Sequence, residues 1–507
     1  MRTPGVPAIV SLLLSLCLCG LPASSQTGRR FDVRSYGARG DYHFVDDGTI
    51  QAGTRVLTSP SANFTSADVR KPLYILGAGP LVNGRADPLS TTIVSIENGA
   101  NAVLANAAQT TVTNGRVSWG SDDRIPIERA INAAAAAGGG NVYVPAGTFG
   151  ITGALTMVGS NIHLTGEGNN TVLYQSKVYA SSDGPAVNQT DGLPVLLIGV
   201  RGTRTSNIEI DHLRLTNAGT EIHNSVNGNG IITFVDGAIA DNYKLHDLRV
   251  ETSSRCGINS GAISNGYEIY ENYVEGGLHG FYIAGDGTNG YIHDNHLVNT
   301  RYLRHQFNSE GIAIKNQKNC RIIHNTVEGY RWGILIPDWP SKHVSVDNNI
   351  VTVSSEAGNV LGIAGNNGSE IVISNNQVEC QSRGMGLWFY TNRLSNIEAT
   401  RNTIKNCLTG MKFDGTATGT GPANLKLKEN AISGCTDGIR MESVGGVNVV
   451  QTNKQTGCSG MPWLVTSSPN GTVTYFSQDN TFENTARPKS SFDGSVRQVQ
   501  KSEIPPR

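Results

Sequence analysis

A repeat between about residues 205 and 455 constrains the fold of this chain more than any other feature of its sequence. Each unit has an asparagine, an aliphatic residue two positions later, and then a glycine followed by an apolar residue. Asn272 leads in this way to Gly280, and Asn325 leads to Gly333, eight residues later in both units. Successive asparagines lie 23 to 30 residues apart. A period of this size indicates a solenoid, in which each repeat packs only on its neighbours.

The remaining units have the same pattern, some of them with longer insertions. They pair Asn376 with Gly384, Asn402 with Gly410, Asn430 with Gly438, Asn295 with Gly311 and Asn348 with Gly362. Between units the residues alternate as short apolar strands and show no helical period. We therefore predict an all-β parallel β-helix with one coil per repeat and about 4.8 Å between coils. The asparagines are expected to form a hydrogen-bonded ladder, and the glycines to allow tight turns.

The residues at the two ends of the chain indicate a signal for export and a disordered C-terminal tail. A cationic start, an apolar stretch at 9–19 and small residues at 23–25 predict a signal peptide over residues 1–25, and hence a secreted or periplasmic protein. The polar residues 485–507 are expected to be disordered. A formal net charge of −1 argues against a nucleic-acid partner, and no apolar run suits a membrane span. The six cysteines after residue 25 permit either disulfides or buried thiols, and the oligomeric state stays open.

Two segments resemble the N-terminal motif of the pectate-lyase superfamily, which includes polygalacturonase-like enzymes and phage tailspikes. They are residues 31–41 (FDVRSYGARGD) and residues 122–149, which end in GGGNVYVPAGTF. The resemblance implies a right-handed, single-stranded parallel β-helix with a short N-terminal capping helix. Residues 130–137 favour such a helix, and Gly138 would end it. The resemblance implies little about activity, because this scaffold carries many chemistries.

A long insertion separates the two segments, which lie nearly side by side in the simplest members of the family. Residues 44–118 contain strand-like runs and many small residues, so we predict a small inserted β-module that caps the helix or contacts a partner. The β-helix is then expected to comprise residues 26–43 and 119–484.

One face of the predicted coils collects chemically capable side chains. In each coil the residue before the repeat glycine and the second residue after it should point outward. His279, Tyr282, Glu310 and Lys315 are therefore expected on neighbouring coils of one face, and we take them as candidate catalytic residues. Candidate substrate-binding residues on or near this face, including the insertion at 300–309, are Arg304, His305, Arg331, Trp332, Asp338, Arg383 and Trp388.

These residue types favour β-elimination from a uronic-acid polysaccharide. That reaction needs a cation for the carboxylate, a base for the C5 proton and a proton donor for the leaving oxygen. His279 or Tyr282 could be base or acid, and Lys315 or an arginine among Arg304, Arg331 and Arg383 could bind the carboxylate.

Two alternatives remain open. A glycoside hydrolase would use two carboxylates, with Glu310 paired to Asp286 or Asp338. The resemblance to polygalacturonase-like enzymes implies a catalytic aspartate where Glu310 stands, but the paired aspartates expected on the next coil are replaced by Arg331 and Trp332. A non-catalytic glycan-binding or adhesion β-helix is the second alternative. No cofactor is predicted, and Asp286 is a weak candidate ligand for Ca²⁺, because no short Asp-rich loop accompanies it.

Overall fold

The structure is a computed structural model of the chain. It describes residues 29–82, 84–178, 193–219, 230–252, 255–299, 309–354, 358, 360–415, 421–466, 473–484, 491–492 and 496–499. The predicted signal peptide lies outside these residues, as do Arg304 and His305. No helix in the described part of the chain is long and apolar enough to cross a bilayer.

The chain is a right-handed parallel β-helix, which confirms the fold predicted from the repeat. Its first wall, sheet I, contains one strand from each coil, and all of its strands are parallel. The strands of sheet I are Leu155–Met157, Leu196–Ile198, Gly230–Phe234, Cys256–Ser260, His279–Ile283, Glu310–Ile314, Trp332–Ile336, Leu361–Gly365, Met385–Tyr390, Thr409–Asp414, Asp437–Glu442, Trp463–Thr466 and Ser491–Phe492.

The second and larger wall, sheet II, bends around the rest of each coil and is also parallel. Its strands are Arg30–Asp32, Gly140–Tyr143, Gly147–Ile151, Ile162–Gln175, Arg204–Ser206, Glu209–Asn217, Ile239–Asp241, Lys244–His246, Arg249–Thr252, Ile263–Asn265, Glu268–Tyr270, Tyr273–Gly276, Gly287–Thr288, Tyr291–His293, His296–Val298, Gln317–Ile323, Thr326–Glu328, Ser341–Asp347, Ile350–Thr352, Gly368–Ser374, Gln377–Glu379, Leu394–Thr400, Thr403–Lys405, Ala423–Lys428, Ala431–Ser433, Val447–Gln451, Lys454–Thr456, Val473–Gln478, Thr481–Glu483 and Val496–Val499. Two strands within the predicted tail, Ser491–Phe492 and Val496–Val499, thus continue the two sheets.

The asparagine ladder forms as predicted. Each buried side chain donates through Nδ2 to the Oδ1 atom of the asparagine on the next coil, and the same Oδ1 atom also accepts the backbone N–H of the donating asparagine. From Asn376 to Asn402, for example, the Nδ2–Oδ1 distance is 2.9 Å. One rung differs from the sequence prediction, because Asn349 and not Asn348 occupies it. The ladder runs through Asn272, Asn295, Asn325, Asn349, Asn376, Asn402, Asn430, Asn453 and Asn480.

The repeat glycines are explained by close approach of the coils and not by turn geometry. In sheet I a Cβ atom on Gly362 would lie 2.4 Å from the carbonyl oxygen of Gly386 on the next coil and 2.3 Å from Val378 Cγ1. Gly311 and Gly333 are confined in the same way. These glycines do not have positive φ angles. For Gly311, Gly333 and Gly362, the prediction that they allow tight turns was therefore wrong.

We expect the substitution Gly362→Ala to lower the free energy of unfolding by about 1–3 kcal/mol, because the added methyl group overpacks two coils. Gly445→Ala is the matched control, since its Cβ would meet only Ala423 Cβ, at 3.5 Å. Thermal melting of both variants measures the effect. Equal melting temperatures for the two would contradict this explanation of the repeat glycine.

The predicted helical cap and inserted module are both present. The helix Arg124–Ala136 buries Ile127 and Ile131 in the main core, next to the first coil. The Asp123 carboxylate before it accepts the backbone N–H groups of Arg39 and Gly40 at 2.7 and 3.0 Å, which joins the two resembling segments. Short 3₁₀ helices lie at Val33–Tyr36 and Ser66–Asp68.

The inserted module is a small closed β-barrel with its own hydrophobic core, which includes Trp119. It contacts the first coils through aromatic side chains, since the rings of Phe44 and Tyr174 stack with centroids 4.5 Å apart. The barrel strands, in order around it, are His43–Ile50, Val56–Thr58, Asn101–Leu104, Leu89–Asn98, Pro72–Ile75 and Val112–Trp119, and a hairpin pairs Leu81–Val82 with Arg85–Ala86.

The cysteines adopt both of the arrangements that the sequence left open. Cys380 and Cys407 form a disulfide between adjacent coils, with Cα atoms 4.8 Å apart. Cys435 follows on the next coil, where its Sγ atom accepts the Cys407 N–H at 3.4 Å. Buried free thiols are Cys256, Cys320, Cys435 and Cys458.

Candidate active site

The outer surface of sheet I brings the candidate catalytic residues together. His279 lies directly beside Glu310 on the next coil, and Glu310 lies beside Trp332 on the coil after that. The alternation of strand side chains places all three on the outside of the solenoid. This outward row contains Cys256, His279, Glu310, Trp332, Leu361, Met385, Thr409 and Asp437.

His279 and Glu310 form a buried pair of titratable groups. Only 4% of His279 and 8% of Glu310 is exposed to solvent. His279 Nδ1 lies 3.2 Å from Glu310 Oε2, but without the alignment of a hydrogen bond. Among the described residues, neither ring nitrogen of His279 nor Glu310 Oε2 has a hydrogen-bond partner. Buried polar atoms are nearly always paired, so this unsatisfied pair is an exception that calls for an explanation.

Tyr282 and Lys315 complete the cluster on its more exposed side. The rings of His279 and Tyr282 have centroids 5.1 Å apart, and Lys315 Nζ lies 5.0 Å from the centroid of Tyr282. Burial alone would lower the pKa of Lys315, but hydrogen bonds from its ammonium to Asp338 and Tyr282 raise it above the usual value. Lys315 is therefore a cation at neutral pH, suited to bind an anion and unsuited to act as a base.

Asp338 is the exposed partner of this lysine. Lys315 Nζ lies 2.8 Å from Asp338 Oδ2, and this hydrogen bond lowers the pKa of the Asp338 carboxyl despite its partial burial. Asn366 Nδ2 lies 3.3 Å from the other carboxylate oxygen. With just over half of its side chain exposed, Asp338 forms the solvent-facing edge of the cluster.

An apolar cluster on the outside of sheet I extends the site along the solenoid axis. Ala313, Leu335, Leu361 and Ala364 are buried there, although the alternation of the strands points them away from the main core. Half-buried Tyr282 and Trp332 pack against one end of the cluster, and Met385 and Trp388 pack against the other. This surface offers aromatic faces of the kind on which sugar rings stack.

Trp388 stands in the second outward row, between Ala364 and Lys412. Its indole stacks on Tyr390 with centroids 4.4 Å apart, and its Nε1–H donates to Asp414 Oδ1 at 2.7 Å. The exposed Trp339, next to Asp338, was missed by the sequence analysis because it belongs to no repeat position.

The position predicted for Arg383 was wrong. Met385 occupies the outward row in its place, because the repeat glycine of this coil is Gly386 and not Gly384. Arg383 is exposed in the turn that precedes the strand, where Gly384 has a φ of +77°.

The other predicted residues lie at the margin of the site or, like Arg304 and His305, outside the residues that the structure describes. Arg331 is half-buried, one residue before Trp332, and its guanidinium lies beside Gly358. Asp286 is exposed and accepts a hydrogen bond from Asn316 Nδ2. In the described part of the chain, Asp286, Glu310 and Asp338 do not form a group of converging metal ligands.

The fold and this face define a parallel β-helix protein with a polar and aromatic surface on sheet I. Residues 293–493 match the family model of NosD, described as a periplasmic copper-binding protein. Mannuronan C5-epimerase AlgE1 of Azotobacter vinelandii is 34% identical over 129 residues, which cover 24% of this chain and 9% of that protein. The chain spans less than a fifth of the length of the curated relatives that it matches.

Two solved structures share the architecture at low sequence identity. The A-module of mannuronan C-5 epimerase AlgE6 from Azotobacter vinelandii is 17% identical with a TM-score of 0.40, and the similarity covers 76% of this chain and 96% of the module. An exopolygalacturonase from Thermotoga maritima is 15% identical with a TM-score of 0.40, over 75% of this chain and 88% of the enzyme. These matches concern the fold alone, so we assign no family to the whole chain.

Proposed function

We propose that this protein is an exported enzyme that acts on a uronic-acid polysaccharide by removing the proton at C5. The observation that carries the proposal is the buried, unsatisfied His279–Glu310 pair next to Tyr282 and the cationic Lys315. The curated relatives support the substrate class, since their names describe epimerases acting at C5 of mannuronan, an acidic glycan.

Each residue has a role that follows from its position. Lys315 releases Asp338 and binds the substrate carboxylate, which lowers the pKa of the C5 proton. A rotation of the His279 ring would let Glu310 accept a hydrogen bond from Nδ1–H, which orients the ring so that Nε2 is left as the base. The C5–H bond breaks to His279 Nε2, and the electron pair that remains is stabilised by the neutralised carboxylate.

The fate of this electron pair separates two reactions with the same first step. In β-elimination the pair forms the C4=C5 double bond, the C4–O bond breaks, and Tyr282 gives its proton to the leaving oxygen. In C5 epimerisation a proton returns to C5 from the opposite face, and the chain stays intact. We favour elimination, because Tyr282 lies beside both His279 and Lys315 as a proton donor. Epimerisation is the second candidate, and the names of the curated relatives favour it.

The geometry supports a glycoside hydrolase or a purely adhesive protein less well. A hydrolase needs two carboxylates available to the glycosidic bond, but the Glu310 carboxylate is buried against His279, 3.2 Å from its Nδ1. A purely adhesive surface does not need a buried pair of unsatisfied titratable groups.

One assay distinguishes all four functions. The purified full-length protein is incubated in D₂O with polymannuronate, polyguluronate and polygalacturonate in turn. Elimination gives absorbance near about 235 nm from the unsaturated product, and epimerisation gives deuterium at C5 without that absorbance. New reducing ends with neither signal would indicate a hydrolase and contradict the proposal. Binding with no product would indicate adhesion and contradict it equally.

A further inference from the structure

A second cluster of titratable side chains lies on sheet II, apart from the candidate active site. His163, Glu209, Asp211 and His246 stand on three consecutive coils. The strand register pairs His163 with Glu209 and Asp211 with His246. The proposed glycan chemistry uses none of them.

The side-chain atoms of this cluster converge on one point. His163 Nε2 lies 2.8 Å from Asp211 Oδ2, and His246 Nε2 lies 3.4 Å from the same oxygen. His246 Nε2 also lies 3.1 Å from Glu209 Oε1. One ligand atom from each of His163, Glu209 and Asp211 falls within 4.8 Å of the other two. Ligands about 2.0–2.1 Å from a tetrahedral metal ion are about 3.3 Å from one another, which is close to these separations.

Asp211 supplies an independent sign of a missing ligand. Its carboxylate is only 4% exposed, yet Oδ1 has no hydrogen-bond partner among the described residues. His212 Nδ1 lies 3.1 Å from this oxygen without forming a hydrogen bond. A buried carboxylate normally has both oxygens satisfied. A cation bound to this carboxylate beside the two imidazoles at Oδ2 would compensate its buried charge.

His246 has the outer support that metal-binding histidines show. Its Nδ1–H donates to Asp247 Oδ2 at 2.8 Å, and its Nε2 faces Glu209 and Asp211, where a bound metal ion would take the place of the Nε2 proton. The imidazole is stacked on Tyr270, with centroids 4.6 Å apart and planes 13° from parallel. A carboxylate behind the imidazole fixes both the tautomer and the ring orientation.

We propose that His163, Glu209, Asp211 and His246 bind one divalent transition-metal ion of the zinc type, which links three successive coils. Two neutral imidazoles and two carboxylates give the ligand set a charge of −2, which matches a divalent ion. Imidazole ligands favour zinc and its transition-metal neighbours over calcium and magnesium, which take oxygen ligands.

Titration calorimetry of Zn²⁺ into untagged, chelator-treated full-length protein tests the proposal. We expect one high-affinity ion per chain. We expect His246→Ala and Asp211→Asn each to weaken binding by at least about 10–100-fold, because even outer-shell changes have effects of that size. Circular dichroism of each variant without metal shows whether its β-helix is intact.

His293→Ala is the matched control. His293 lies on the same sheet and also contacts two carboxylates, Glu268 at 3.2 Å and Asp294 at 2.7 Å. These contacts use opposite ring nitrogens, so they cannot converge on one ion. This variant is expected to bind Zn²⁺ like the wild type. Absence of binding by the wild type, or unchanged binding by both ligand variants, would reduce the cluster to ion pairs and overturn the proposal.

Discussion

Glu310→Gln and His279→Ala are each expected to lower kcat on a uronate polymer by about 100- to 10,000-fold, the range lost when a general base is removed. His279→Ala deletes the proposed base itself. Glu310→Gln keeps the size of the side chain but removes the charge that orients the imidazole and stabilises its protonated form. Because the two residues act as one unit, the double variant should be little worse than the more damaged single variant.

A histidine elsewhere on the solenoid provides the control for this prediction. His296 on sheet II is partly exposed and lies 3.5 Å from Glu328, so it resembles His279 in having an acidic neighbour. His296→Ala should leave kcat unchanged. Initial rates at saturating polymer, with thermal melting to confirm folding, measure the effect. Unchanged rates for both Glu310→Gln and His279→Ala would remove the proposed site.

Much of this face could be predicted from the sequence, because a parallel β-helix places residues that are one repeat apart in the sequence side by side on adjacent coils. His279 and Glu310 are 31 positions apart, yet both precede a repeat glycine, and this phase places them side by side. Strand alternation then fixes which side chains point outward. The distance between them and their burial could not be predicted, because both depend on side-chain conformation and packing that the repeat does not encode.

The predicted position of Arg383 was wrong because the eight-residue spacing from asparagine to glycine does not apply to its coil. Asn376 and Gly384 show the eight-residue spacing of the other units by coincidence. The turn before this strand holds two more residues than the corresponding turns of the other coils. Gln381, Ser382 and Gly384 have positive φ angles in it. The repeat glycine is therefore Gly386, and Trp388, two residues later, stands in the second outward row.

The cluster on sheet II escaped prediction for a different reason. Its coils precede the regular asparagine repeat, so no marker aligned them. His163 and Glu209 are 46 positions apart, and Asp211 and His246 are 35 positions apart, so no local motif contains them. Only the register of three coils brings the four side chains together.

Breaking the asparagine ladder at its centre should be the largest single loss of stability in the solenoid. Asn376 is fully buried, and its Nδ2 atom donates to Asn402 Oδ1 and to the Val346 carbonyl, both at 2.9 Å. Its Oδ1 accepts both the backbone N–H and the Nδ2–H of Asn349, also at 2.9 Å. Asn376→Ala leaves four buried polar groups without this partner. At about 1–3 kcal/mol for each group that stays unpaired, partial relaxation still leaves an expected loss of about 3–5 kcal/mol.

Gln377→Ala tests whether this loss belongs to the ladder, because Gln377 is the exposed neighbour of Asn376 in the same coil. This substitution should lower the free energy of unfolding by less than about 0.5 kcal/mol. Solenoid repeats interact mainly with their neighbours, so the damage should be local at first. Amide hydrogen exchange at Asn349, whose N–H loses its acceptor, should accelerate more than exchange at the distant Asn295. A loss below about 1 kcal/mol, or uniform exchange along the solenoid, would mean that the ladder follows from the stacked coils and does not hold them together.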